Sequence, residues 1–229
     1  MIGIGAGDPE YLTVQAVQAL RSVDVLFLLE KGADDELAAL RRAIVARYVP
    51  GGLREVVIED PPRGRGADAV AAWRAERFAL ISSALRRERG VAAFLAWGDP
   101  SLYDGLITLL EPFSPVVIPG ISAVSALAAR HGIVLNRVGG SVLITTGRRL
   151  AAAGWPADVG DVVVMLDADL AFMDVTEECE IYWGAYLGTP DELLIAGRLR
   201  EVREEIASVR RAARERKGWM FDTYLLRRI

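Results

Sequence analysis

Short apolar runs alternate with longer amphipathic stretches through the first half of the chain. The runs are residues 2–6, 23–29, 56–58 and 91–97, each followed by turn-forming or charged residues. Such runs predict strands of a parallel sheet buried on both faces. Between them, Val14, Val17 and Leu20 after Thr13 predict a short helix. Asp34 is placed to cap a second helix reaching about Tyr48, with Leu37, Leu40, Ile44 and Val45 on one face. Residues 60–66, Asp-Pro-Pro-Arg-Gly-Arg-Gly, read as loop. A long helix to about Arg89 follows, with Val70, Trp73, Phe78, Ile81 and Leu85 as a core stripe. The run 91–97 stops at Gly98-Asp99-Pro100, where Asp99 suits an N-cap and Pro100 a first helical residue, so a helix is expected from about Ser101. This β-α series predicts a mostly parallel sheet.

After Leu110 the pattern changes. Residues 111–115, Glu-Pro-Phe-Ser-Pro, read as a linker and 116–118 as a short strand. Pro119-Gly120-Ile121-Ser122-Ala123 turns into a small-residue helix over 123–130. Strands follow over 142–145, 162–166, 179–183, 193–196 and 219–226, with a loop at 146–149 and a charged helix over 198–217. Strands now outnumber helices, so two domains are expected: an α/β domain over 1–115 and a mixed α/β domain over 116–229. The arginines of 198–217 alternate with Glu201, Glu204, Glu205 and Glu215, the pattern of a solvated face.

Composition removes several classes of function. Of 229 residues 52% are hydrophobic and 25% charged, as in ordinary globular proteins. A net charge of −4 argues against a nucleic-acid partner. No apolar run approaches the roughly 18–20 residues of a membrane span, and no secretory signal is expected. The single cysteine, Cys179, excludes an internal disulfide framework and fits a cytoplasmic location. The single histidine, His131, precedes Gly132 and reads as a capping or surface residue. One His and one Cys cannot build a zinc site of the usual kind, so no metal is expected.

What chemistry remains is carried by loops. Gly-Asp-Pro occurs twice at strand ends, at 7–9 and at 98–100, as two lips of one cleft; each alone is equally well explained as a helix cap. An acidic residue at such a turn repels phosphate but accepts hydrogen bonds from hydroxyls or an amine. Gly3-Ile-Gly-Ala-Gly-Asp-Pro fails the dinucleotide fingerprint where its third glycine would be Asp8, and no P-loop exists. Arg148 and Arg149 follow a strand and a Thr145-Thr146-Gly147 turn, where an anionic substrate could reach them.

Three of these loops carry a resemblance. Gly3-x-Gly5-x-Gly7-Asp8-Pro9, Trp97-Gly98-Asp99-Pro100-Ser101-Leu102-Tyr103 and Pro119-Gly120-Ile121-Ser122-Ala123 resemble the hallmark loops of the tetrapyrrole methylases. Further stretches, His131 to Arg137, Ile144 to Leu150 and Trp183 to Glu192, are similar to the deacetylating methylases of corrin-ring synthesis. Trp97 stands where the wider family usually has a glycine.

The resemblance implies a two-domain tetrapyrrole methylase-like α/β fold, with a mostly parallel N-terminal sheet, a mixed C-terminal sheet and the active site in the cleft between them. S-adenosyl-L-methionine is the implied cofactor and S-adenosyl-L-homocysteine its product. Ala6, Trp97, Gly98, Asp99, Leu102, Tyr103, Ser122, Ala123, Met165, Leu187 and Gly188 are the implied cofactor contacts. The first loop, with Asp8 and Pro9, would face the macrocycle. Arg137, Thr146, Arg148 and Arg149 become candidate contacts for a polycarboxylate substrate. The implied reaction is methylation of precorrin-5 at C-1 with loss of acetate, which needs water and a base, and Asp8 is the candidate. A homodimer is expected. Another tetrapyrrole or diphthine-type methylase, or a non-catalytic ligand-binding module, stays open.

Overall fold

The structure, a computed structural model, describes residues 1–30, 36–64 and 66–229. Two units divide at residue 121: Met1–Ile121 and Ser122–Ile229.

In the first unit β1 (Ile2–Gly3), β2 (Val25–Glu30), β3 (Arg54–Glu59) and β4 (Ala92–Ala96) form one sheet in the order β1-β4-β2-β3. Every pairing in it is parallel, and Phe27 lies opposite Phe94 with rings stacked at 5.1 Å. The continuous apolar runs are explained by cover on both faces. Leu26, Leu28, Ala93 and Leu95 pack one way with Leu20 of α1 (Val14–Arg21) and Ile44 of α2 (Glu36–Tyr48). Val25, Phe27, Phe94 and Ala96 pack the other way with Ile81 of α3 (Ala67–Arg87) and Leu106 and Leu110 of α4 (Leu106–Leu110). That alternation is the two-residue period of a strand.

Some local expectations change. Asp34, read as the cap of α2, lies outside the described residues. Val14 is exposed, and Ala16 with Leu20 forms the inward face of α1. On α3 only Ile81 of the expected stripe is buried; Trp73 instead donates to the carbonyl of Pro61 at 2.9 Å, and the guanidinium carbons of Arg63 and Arg77 lie 5.1 and 5.0 Å from its ring centre. Residues 116–118 contribute one bridge, Ile118 beside Ile2, and the Met1 ammonium donates to the carbonyl of Val116 at 2.8 Å. Those bonds explain why the first unit extends to Ile121, past the boundary expected at 115.

The second unit holds α5 (Ala123–His131), β5 (Val142–Thr146), α6 (Gly147–Ala153), β6 (Asp161–Met165), β7 (Cys179–Ala185), β8 (Leu193–Arg198), α7 (Leu199–Lys217) and β9 (Asp222–Arg228). Its sheet runs β5-β6-β9-β7-β8; β5 and β6 are parallel, and the β6–β9, β9–β7 and β7–β8 pairs are antiparallel. Val162, Val164, Ile181, Trp183, Tyr224 and Leu226 build one core with Leu199 and Ile206 of α7. Residues 146–149, expected as loop, are the end of β5 and the first turn of α6. Among the described residues no helix is long and apolar enough to cross a membrane.

Candidate active site

Three turns of the first unit meet at the carboxyl ends of β1 and β4. The N–H of Gly98 donates to the carbonyl of Gly5 at 2.8 Å, and the N–H of Gly5 donates back to that of Gly98 at 3.3 Å. Gly98 has φ 63°, a left-handed conformation that costs glycine little. Gly120 packs onto both strand ends: a Cβ there would run into the carbonyl oxygen of Gly98 and lie 2.9 Å from the carbonyl carbon of Gly3. Backbone touches backbone, so the sequence has no room for a side chain at these points.

Asp99 ties the turns together. Its Oδ1 accepts the N–H of Ser101 at 2.8 Å and the Ser101 hydroxyl; its Oδ2 accepts the N–H of Gly120 at 3.0 Å. Burial would raise the pKa of this carboxyl, but the Ser101 hydroxyl and the two N–H groups outweigh it and hold the group below its ordinary value. The helix expected from Ser101 does not form. Leu102 donates to the Asp99 carbonyl at 3.1 Å, Tyr103 turns left-handed with φ 56°, and α4 begins only at Leu106. Asp104, not Asp99, accepts the first N–H there, from Leu106 at 2.8 Å. Asp99 is therefore the brace of a three-turn junction.

Around it lie the other first-unit candidates. Asp8 accepts the N–H of Glu10 at 2.8 Å and caps a single turn of 3-10 helix, Pro9–Tyr11, while Tyr48 donates to the Pro9 carbonyl at 2.7 Å. Ala6, Trp97 and Leu102 are half-buried and Tyr103 is exposed. The guanidinium carbon of Arg41 lies 5.4 Å from the Trp97 ring centre, a cation the sequence reading did not assign.

The second unit brings several of its candidates to one end of its strands. Thr146 pairs with Met165, Met165 with Thr223, and Ala185 with Asp222, so β5, β6 and β7 all end there. Thr146 accepts the N–H of Arg149 at 3.3 Å and caps α6, leaving Arg148 and Arg149 exposed on its first turn. Met165 is followed by Leu166 at φ 53° and Leu187 is preceded by Tyr186 at φ 51°. Left-handed non-glycine residues cost roughly 1–2 kcal/mol each and persist where surroundings over-determine them. Tyr103 makes the same departure in the first unit, so three such residues adjoin candidate cofactor positions. Gly188 donates to Glu192 Oε2 at 2.8 Å. Ser122 caps α5 by accepting the N–H of Ser125 at 3.1 Å, with Ala123 as the first helical residue. His131, at the other end of α5, makes a 3.0 Å hydrogen bond with the carbonyl of Trp183.

Arg137 does not join this group. Its guanidinium stands 3.6 Å from Asp161, the first residue of β6, about 13 Å along the strand from Met165 at ~3.3 Å per residue.

One feature of the second unit escaped the sequence reading. Arg210 of α7, which the alternation with glutamate predicts on a solvated face, is buried with Asp167, Trp183 and Tyr224. The clue was its place on the stripe Leu199, Val202, Ile206, Ala213, where an apolar residue belongs.

The donor set fits S-adenosylmethionine. Carboxylate and carbonyl oxygens at the first-unit turns are hydrogen-bond acceptors, compatible with hydroxyls, an ammonium or a sulfonium. Met165, half-buried, and Leu166, exposed, offer apolar surface suited to a purine, while Leu187 is buried. Among the described residues no group of three or more His, Cys, Asp or Glu is placed to hold a metal.

A family model for the tetrapyrrole (corrin/porphyrin) methylases matches residues 1–203. The chain is 47% identical to precorrin-6A synthase [deacetylating] of a Sinorhizobium species, with 100% of this chain and 94% of that protein covered. The crystal structure of a cobalamin synthesis related protein (CobF) from Corynebacterium diphtheriae matches with a TM-score of 0.81 at 39% identity, over 99% of this chain and 96% of that one. The uroporphyrin-III C-methyl transferase of Thermus thermophilus, solved with S-adenosylhomocysteine, shares the fold, with a TM-score of 0.61 at 22% identity over 98% and 90% of the two chains.

Proposed function

The chain belongs to the tetrapyrrole (corrin/porphyrin) methylases, and from that premise we propose that it methylates precorrin-5 at C-1 and releases acetate to give precorrin-6A. It is an S-adenosylmethionine-dependent C-methyltransferase of cobalamin synthesis. The observation that carries the specific reaction is the 47% identity to precorrin-6A synthase over the whole of this chain. That match also disfavours a diphthine-type substrate or a non-catalytic module.

The residues suit the chemistry. When bound, S-adenosylmethionine supplies an activated methyl group and leaves as S-adenosylhomocysteine. Methyl transfer of this kind asks for alignment of two reactants more than for a nucleophile or metal. The first unit's candidate cofactor contacts are Asp99, Gly98 and Trp97, with Ala6, Leu102 and Tyr103 beside them; those of the second are Ser122, Ala123, Met165, Leu187 and Gly188. Asp8 engages Oδ1 with Glu10, leaves Oδ2 unengaged among the described residues, and is the base for acetate release. Arg148 and Arg149 are exposed, form no ion pair among the described residues, and bind substrate carboxylates with Thr146; Pro9 lines the same substrate. Arg137 is left out because its guanidinium lies beside Asp161, at the opposite end of β6 from Met165. A homodimer in a reducing cytoplasm is part of the proposal, the latter consistent with the single, buried Cys179.

Incubation with methyl-labelled S-adenosylmethionine and precorrin-5 tests the reading. Labelled product and free acetate in equal amounts are expected; methylation without acetate, or acetate without methylation, rejects it.

A further inference from the structure

Arg210 bonds two separate chain segments at once. Its Nε donates to Asp222 Oδ2 at 2.7 Å and its Nη2 donates to the backbone carbonyl of Asp167 at 2.6 Å. Trp183 Nε1 donates to the same Asp222 oxygen at 3.1 Å. Asp167 in turn accepts the Tyr224 hydroxyl at 2.7 Å and the N–H of Ala171 at 2.8 Å on Oδ2, and the N–H of Asp169 at 3.2 Å on Oδ1.

The two segments are the ones that carry candidate cofactor contacts in this unit. Asp167 is two residues past Met165, and Asp222 pairs across the ladder with Ala185, two residues before Leu187. The left-handed residues Leu166 and Tyr186 lie inside these two turns, so the turns need external restraint. Tyr186 receives some directly, its N–H donating to the Phe221 carbonyl at 2.9 Å, one residue before Asp222. Asp167 also packs so closely on Gly147 that a Cβ there would strike its carboxylate, which links the start of α6 to the same cluster.

A buried ion pair is a poor way to gain stability, since apolar residues of the same volume often do as well or better. A planar guanidinium with donors aimed at two different segments is a good way to hold those segments at a fixed spacing. We propose that Arg210, braced by Asp222 and Asp167, is a positioning residue that sets the cofactor-binding turns at 165–167 and 185–188. This rests on the reading that Met165, Leu187 and Gly188 contact the cofactor.

The test is calorimetric titration of S-adenosylhomocysteine into the full chain, with thermal unfolding followed in parallel. Arg210→Met combined with Asp222→Asn removes both charges and keeps an acceptor for Trp183. It is expected to weaken binding tenfold or more, with the melting midpoint within a few degrees of wild type, and to raise the KM for S-adenosylmethionine while kcat changes less than twofold. Tyr224→Phe deletes one hydroxyl on Asp167 and is the milder variant should the first not fold; a severalfold weakening is expected. Met165→Ala serves as the direct-contact control. Weakened binding in Met165→Ala with wild-type affinity in both network variants overturns the positioning role alone. Wild-type affinity in Met165→Ala overturns the underlying reading of the site, and the inference with it.

Discussion

Replacing Asp99 with asparagine removes the charge of the brace and one of its two acceptor oxygens. In the native protein the carboxylate accepts at both oxygens, from Ser101 on one side and Gly120 on the other, the N–H bonds being 2.8 and 3.0 Å long. An asparagine has one acceptor oxygen. Whichever way it turns, its NH2 faces either the Ser101 N–H or the Gly120 N–H, donor against donor. One backbone bond is lost, and the remaining ones lose their charge assistance. Bonds to charged groups contribute about 1.5–3 kcal/mol net, and partial exposure of this site favours the low end, so a loss of about 1–3 kcal/mol at neutral pH is expected. The pH dependence follows from the depressed pKa. The contribution is fully present above the unfolded aspartate value of about 3.9 and disappears as pH falls through the lower folded value. Urea unfolding of both proteins from pH 7 to pH 3 measures this: the stability gap is expected to be full at pH 6–7, to narrow below about pH 4, and to close once the carboxyl is protonated in both states. A gap that keeps the same size at every pH, or no gap at pH 7, refutes the account. The same variant is expected to bind S-adenosylhomocysteine more weakly; unchanged affinity would make Asp99 a brace only.

Gly120→Ala forces a Cβ against the backbone of Gly98 and Gly3, which cannot withdraw as a flexible side chain could; a loss of about 1–3 kcal/mol or more with weakened S-adenosylhomocysteine binding is expected, whereas Gly51→Ala, with nothing within 4 Å, leaves the melting midpoint in place. Equal midpoints for the two variants would contradict the close packing described. Cys179 is buried, and burial pushes its thiol up to about 11, so iodoacetamide at pH 8 is expected to label it only after unfolding. Stoichiometric labelling of the folded protein would show that the β7 core opens readily.

The three hallmark loops were legible because each combines glycine with aspartate or serine at the end of an apolar run, and such strand–turn signals are local. The function of Asp99 was legible only in part. Its side chain suits an N-cap, but the Gly120 N–H that claims its second oxygen is distant in sequence, and Tyr103 leaves the helical region two residues after Ser101. Arg210 was misread for a similar reason: a charge among glutamates looks solvated until the strand bearing Asp222 is packed beneath it.

Local pattern was enough to specify strands β2, β4 and β6, the parallel sense of the first sheet and the residue types available for chemistry, because apolar periodicity and turn propensity depend on near neighbours. Tertiary packing decided which carboxylates brace turns, which arginine is buried and which remain exposed, and that Arg137 sits beside Asp161 away from Met165. Those outcomes depend on groups far apart in the chain competing for the same hydrogen bonds, and that competition exists only once the strands have paired.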